Sequence, residues 1–225
     1  MAENQRTQGH GLDWRGGVPI STRFDDPFYS LDNGLDETRH VFLAGNDLPA
    51  RFRPGFRVAE LGFGTGLNLV AAHAAWVADG RADPLRFTSF EAFPVAPEEA
   101  LRALSHFPEA APLAPLIAEA LAGSGRIETL MLDFTLVRGD ARDTLPSWGG
   151  GADAWFLDGF SPAKNPELWE PPLMQAVFDH TAPGGTCATY SAAGAVRRAL
   201  AEAGFVIERR PGYGRKRHMS VGVRP

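Results

Sequence analysis

The run Val58-Ala59-Glu60-Leu61-Gly62-Phe63-Gly64-Thr65-Gly66-Leu67-Asn68 constrains the fold of this chain more than any other stretch. Its front end is apolar, as a buried strand is. Three glycines follow at alternate positions, and the Ala- and Leu-rich stretch from Leu67 to Ala78 then reads as a helix. A strand, a glycine turn and a helix start, in that order, make a nucleotide-binding corner. Glycine lets the backbone take positive φ and approach a ligand closely, and the first helical turn offers free N–H groups. The spacing narrows the ligand. Dinucleotide sites use G-x-G-x-x-G with the pyrophosphate on the helix dipole. Here the pattern is Glu-x-Gly-x-Gly-x-Gly, and a carboxylate at Glu60 repels a pyrophosphate but holds an ammonium. S-adenosylmethionine carries an ammonium and no phosphate. Glycine-rich turns also serve plain structural corners, but with Glu60 in front and a helix behind, methyl-donor binding is the better reading. Glu60, Gly62, Phe63, Gly64, Gly66 and Asn68 are the residues expected to form that site.

A length of 225 residues suits one α/β domain with a proper core. Residues 1–17 are expected as a flexible lead and 18–225 as a single domain. No apolar stretch approaches a membrane span, and the polar start from Met1 to Gly11 has no signal-peptide core. Cys187, the lone cysteine, lies in an apolar strand-like run, so a buried thiol in a cytoplasmic protein is expected. The formal net charge of −5 means that any nucleic-acid contact needs a local basic patch. Arginine carries almost all the positive charge, which fits phosphate recognition and genomic base composition equally well.

Phe24-Asp25-Asp26-Pro27-Phe28-Tyr29-Ser30 packs acids and aromatics densely, and Asn33-Gly34 and Glu37 follow. A capped loop explains each residue singly, the whole cluster less well. Leu85 to Phe90 reads as the second core strand and ends at Glu91, the position where a carboxylate accepts from both hydroxyls of a ribose diol. Arg126 to Asp140 reads as a hairpin. It ends in Gly139-Asp140, where Asp140 is either an acceptor for an adenine amino group, a helix N-cap, or both. Trp155 to Leu157 is apolar and strand-like, and Asp158 follows at its carboxyl end, where open α/β sheets bind ligands. Asp158 lies too far upstream to cap the helix expected near Pro166. The strand–helix alternation continues to the end and argues a parallel doubly wound sheet. Pro211 to His218 forms a basic, glycine-spaced loop, and with Arg197, Arg198, Arg209 and Arg210 it suggests contact with an RNA backbone. His40, His73, His106 and His180 lack metal-ligand spacing, and no G-x-S-x-G elbow is present, so metal catalysis and acyl transfer have little support.

From roughly residue 14 to the end, these motifs resemble the methyltransferase domain of the MnmC family, which acts in forming 5-methylaminomethyl-2-thiouridine in tRNA. The carriers are Phe24-Asp25-Asp26-Pro27 with Tyr29-Ser30, Asn33 to Thr38, the Glu60 to Asn68 run, and Asp153 to Phe160. Pro162-Ala163-Lys164-Asn165-Pro166, Thr189 to Gly194 with Val196-Arg197-Arg198, and Gly212 to Arg217 complete them. The resemblance implies a Rossmann-like class I fold: a doubly wound, mostly parallel seven-stranded sheet with a reversed last strand. It implies methyl transfer from S-adenosylmethionine to the amine of 5-aminomethyluridine at the tRNA wobble position, with Asp158 at that amine. Glu60 is then expected on the methionine ammonium, Glu91 on the ribose and Asp140 on the adenine. Tyr29, Phe160 and Tyr190 are expected to stack on the uracil or wall off the amine, with Asp26 and Lys164 also on the substrate side. Arg197, Arg198, Arg215, Lys216 and Arg217 are expected on anticodon-region phosphates. Ser161 stands where the family pattern has alanine, a small-for-small change. Many relatives continue into an FAD-dependent oxidase domain. Without one, the chain is expected to methylate alone, on substrate from a separate upstream enzyme, with no membrane or metal partner. The alternatives are methylation of another amine and a catalytically silent RNA-binding methyltransferase fold; hydride transfer fits the glycine spacing least.

Overall fold

The apolar runs become strands of one sheet whose two faces are both buried. The structure, a computed structural model, describes residues 11–30 and 33–225. The strands are β1 Leu12–Arg15, β2 Val18–Ser21, β3 Asp26–Pro27, β4 Arg57–Leu61, β5 Leu85–Glu91, β6 Arg126–Glu128, β7 Leu132–Arg138, β8 Ala152–Leu157, β9 Thr181–Thr189, β10 Val206–Pro211 and β11 His218–Val223. The α-helices are α1 Gly34–Thr38, α2 Leu67–Ala78, α3 Pro97–Leu104, α4 Ala114–Ala122, α5 Ala141–Thr144, α6 Pro171–Asp179 and α7 Gly194–Ala203.

The main sheet has the order β10-β11-β9-β8-β4-β5-β7-β6. β7, β5, β4, β8 and β9 run parallel, and β11 is antiparallel to both of its neighbours. The reversed last strand is therefore present. The count of seven needs correcting to eight: β6, the first arm of the Arg126–Asp140 hairpin, pairs antiparallel with β7 and adds an edge strand. Three further short strands, β1-β2-β3, form a separate sheet. Of the lead expected over residues 1–17, residues 1–10 lie outside the described residues, and Leu12–Arg15 is strand rather than free chain.

Side chains alternate across the sheet with period two. Val58, Phe87, Ala154 and Phe156 join one core cluster with α2 and α4, whereas Ala59, Leu61, Phe90, Trp155 and Leu157 join the other with α6 and α7. Fully burying one such large apolar side chain stabilises by about 1.5–3 kcal/mol. Trp76, Trp155, Phe87 and Phe134 are among those with essentially no exposure. The same alternation puts Glu60, Ser89, Glu91 and Asp158 on the α2 side of the strand tips. Cys187 is buried, and burial pushes its thiol up to about 12.

Candidate active site

A cavity of about 590 Å³ opens at the carboxyl ends of β4, β5, β7 and β8. One end is made largely by backbone. After β4 the chain turns through Gly62 at φ +87°, and Gly66, also at +87°, caps α2 without a side chain. Gly62 is required twice over: a Cβ there would lie 2.0 Å from the carbonyl oxygen of Asp158, and its φ is one that L side chains avoid. Glu91, at the tip of β5, accepts from the Gly64 N–H at 3.1 Å and from the Phe93 N–H at 2.8 Å. The Phe63 and Ala92 N–H groups also act on this carboxylate, so the backbone on both sides of it fixes its position. Burial holds the Glu91 carboxyl above its usual range, against those backbone bonds. Asp140 lines the same end, caps α5 through the Arg142 N–H at 2.9 Å and pairs with the Arg142 guanidinium at 2.7 Å. The cap and the cavity position therefore coincide in one residue.

Asp158 stands at the tip of β8 and links the two ends. Its Oδ2 accepts from Asn68 Nδ2 at 2.6 Å, and the same amide donates to Glu60 Oε1 at 2.8 Å. Thr38 donates to Asn68 Oδ1 at 2.9 Å, which fixes which way the amide points, and Ser89 donates to Glu60 Oε2 at 2.6 Å. Burial raises Asp158 to about 7, against the Asn68 hydrogen bond, with Glu37 adding to the rise. Burial raises Glu60 further, to about 8, against the bonds from Ser89 and Asn68.

Glu60 lies deeper than the other residues expected at the donor. It is completely buried and is not among the cavity-lining residues; its carboxyl accepts from Asn68 and Ser89. Asn68 takes the position at the wall. The reason is the strand period: Glu60 lies one residue inside the strand end, under α2.

The other end is built from side chains of distant segments. Phe160 stacks on Phe24 at 4.8 Å and meets Phe28 edge-on at 5.2 Å. Tyr29 packs edge-on against Phe107 at 5.4 Å, and burial pushes its hydroxyl up to about 12. Phe24, Phe28, Tyr29 and Phe160 line the cavity, each already packed against another ring. Asp26 accepts from the Ser161 N–H at 2.9 Å and pairs with Lys164 at 3.3 Å, and Lys164 also donates to the Asp25 carbonyl. Both residues thus tie the 23–30 loop to the loop after β8. Tyr190 lines the cavity with its hydroxyl donated to the Gly159 carbonyl at 2.6 Å.

The arginines expected on phosphates divide. Arg215 lines the cavity mouth; Arg197, Arg198 and Arg217 do not line the cavity. Arg197 and Arg217, with Arg209, surround His218: desolvation first, then these three charges, hold its pKa below the usual value. Lys216 turns inward. Its Nζ pairs with Glu37 at 2.7 Å and lies 3.8 Å from the centre of the Tyr190 ring. Neither Glu37 nor Thr38 was given a role by sequence reasoning, because nothing in their spacing links them to Lys216 or Asn68. No helix of the described residues is long and apolar enough to cross a membrane.

Residues 108–225 match the model of a family described as S-adenosyl-L-methionine-dependent methyltransferase. Two curated relatives, from Pseudomonas paraeruginosa and a Caulobacter species, are each named tRNA 5-methylaminomethyl-2-thiouridine biosynthesis bifunctional protein MnmC. Each is 44% identical to this chain, over 99% and 95% of it respectively. The chain spans 36% and 38% of their lengths. Among solved structures, MNMC2 from Aquifex aeolicus is similar with a TM-score of 0.73 and 26% identity, over 99% of this chain and 74% of that one. Spermidine synthase from Thermotoga maritima, at 10% identity and a TM-score of 0.57 over 92% of this chain and 67% of that one, shares the fold.

Proposed function

The chain belongs to the S-adenosyl-L-methionine-dependent methyltransferase family, and from that premise we propose that it methylates the amine of 5-aminomethyl(-2-thio)uridine at the wobble position of tRNA. The product is 5-methylaminomethyl(-2-thio)uridine. The observation that carries this reading is Asp158: a carboxylate raised to about 7, aimed by Asn68, in one cavity with the glycine loop. The names of the two relatives at 44% identity support the choice of tRNA.

Bound S-adenosylmethionine supplies a sulfonium methyl that is electrophilic without further activation. The cavity fits such a donor. Gly62 and Gly64 keep Cβ atoms out of it, and Glu91 and Asp140, both in its lining, would meet the ribose hydroxyls and the adenine. Asn68 and Asp158 face the space between the two ends. An alkylamine is mostly protonated at neutral pH and has no lone pair to give. Asp158 accepts that proton, and its raised pKa suits the task better than an ordinary aspartate would. Asn68 fixes the angle at which Asp158 meets the amine, so alignment contributes as well as basicity. The Phe24, Phe28 and Phe160 rings exclude water from this end. Arg197, Arg209 and Arg217, gathered about His218, and Arg215 at the cavity supply the local basic surface that a chain of net charge −5 needs for an RNA backbone. The reaction is placed in the cytoplasm as part of this proposal.

The test uses tRNA from cells lacking this activity, incubated with purified protein and S-adenosylmethionine, then digested to nucleosides for mass spectrometry. A gain of one methyl group on 5-aminomethyluridine is expected. No gain, with donor binding intact, moves the acceptor to another amine.

A further inference from the structure

We propose that the Lys216 ammonium occupies, in the free enzyme, the place that the acceptor amine takes in the reaction, and that Glu37 with the Tyr190 ring is the recognition site for that amine. The inference rests on the amine-methylation reading above. Glu37 has a side chain only 11% exposed, on a helix of five residues. A carboxylate so buried needs a cation, and removing its partner leaves a costly unpaired charge. The chain supplies that cation from 179 residues away, at 2.7 Å.

The identity of the cation is the telling detail. This chain contains two lysines, and arginine makes nearly all its other ion pairs. A lysine ammonium is a compact charge on a flexible stem, as an aminomethyl ammonium is, whereas a guanidinium is a planar fork. Lys216 Nζ has a carboxylate at hydrogen-bonding distance and an aromatic face at 3.8 Å, the pair of features that recognises an alkylammonium. Glu37, Lys216 and Asp158 line the same cavity, and Asp158 feels the charges of both Glu37 and Lys216. The Tyr190 ring is held by its own bond to Gly159, so it does not need Lys216 for its position. Lys216 itself is 44% exposed along its side chain and sits two residues after Gly214, in a loop between β10 and β11. Withdrawal needs no repacking of the core. The vacated carboxylate then selects a cationic acceptor over a uridine that lacks the amine.

The probe is the nucleoside 5-aminomethyluridine, with 5-methyluridine as the amine-free control, titrated calorimetrically with S-adenosylhomocysteine present. Lys216→Met is expected to bind 5-aminomethyluridine at least tenfold more tightly than wild type, with 5-methyluridine unchanged. Adding Glu37→Gln is expected to erase the gain. No gain, a gain shared by 5-methyluridine, or a gain that survives Glu37→Gln overturns the proposal. The unmutated protein gives a second readout. Acylation of Lys216, followed by mass spectrometry with Lys164 as internal reference, is expected to accelerate several-fold when 5-aminomethyluridine binds. An unchanged or slower rate also overturns it. A wild type that shows this acceleration yet leaves tRNA unmethylated keeps the amine site and removes the tRNA reading. Methylated tRNA with unchanged Lys216 reactivity removes only the stand-in.

Discussion

The two ends of the cavity are built by different means. On the proposed reading one end takes the donor and the other the acceptor. The donor end is backbone turned back on itself: Gly62 to Gly66 follow β4 directly, and Glu91, on the neighbouring strand, accepts from the Gly64 N–H. The acceptor end is side chain against side chain over long separations, with Asp26 bonded to Ser161 across 135 residues and Glu37 to Lys216 across 179. Only glycines and strand order are needed to make the first. The second exists only when several loops fold onto the strand tips together. The difference teaches that the donor end is set by the fold, whereas the acceptor end is where specificity has freedom to vary.

The sharpest way to break that contrast is at Gly62. Gly62→Ala forces a left-handed backbone on an L residue, worth about 1–2 kcal/mol. It also drives a Cβ to 2.0 Å from the Asp158 carbonyl. Loss of measurable donor binding by calorimetry is expected, with a lowered melting temperature. Donor affinity within threefold of wild type would mean that the glycine loop does not set the donor end.

Asp158→Asn probes the junction. It keeps the shape and removes the proton acceptor, so kcat is expected to fall by about 10²–10⁴-fold with donor affinity little changed. In the wild type, kcat/KM is expected to rise with pH through about 7, as Asp158 ionises in the free enzyme. That limb disappears in the variant. A limb that persists assigns the titration to another group.

The same division decides what could be read from the residues alone. Helix Pro97–Leu104, strand Leu85–Glu91 and the positions of Gly62, Glu91, Asp140 and Asp158 follow from local pattern, since each depends on neighbours within one strand–turn–helix unit. The extra strand β6 was legible only as a hairpin arm, because its place in the sheet depends on β7 having an open edge. The burial of Glu60 beneath α2, with Asn68 between it and the cavity, was not legible because motif spacing reports position along a strand, not depth beneath a helix. Glu37 was invisible as a site residue for the opposite reason: its position follows from a loop 179 residues away.

Glu60 gives a third, smaller effect, on stability. Its carboxyl titrates near 4.5 when unfolded and near 8 when folded. Between those values the folded state holds a proton that the unfolded state has released, so stability falls as pH rises from about 4.5 to 8. One such group contributes a slope of up to about 1.4 kcal/mol per pH unit. Glu60→Gln removes the ionisation and is expected to flatten the melting-temperature profile over that window. An unaltered profile would mean that Glu60 is ionised in the fold and paired by something other than Asn68 and Ser89.

The smallest expected effect tests whether the two ends are separable. Lys164 ties the 23–30 loop to the loop after β8 through Asp26 and the Asp25 carbonyl, yet it is 39% exposed. An ion pair so open to water contributes about 0–1 kcal/mol, and Asp26 keeps its bond to the Ser161 N–H when Lys164 is replaced. Lys164→Met therefore loosens the loop without releasing it. At about 1 kcal/mol or less, KM for the acceptor is expected to rise by up to about fivefold. The donor Kd stays unchanged, because no residue of the glycine loop touches Lys164 through a hydrogen bond or ion pair among the described residues. Parallel rises in both constants would show that the 23–30 loop closes over the donor as well, through Phe28, which approaches Gly64 closely enough for a Cβ there to meet it at 3.1 Å. The cavity would then be one cooperative unit, and the division between its ends a matter of construction alone.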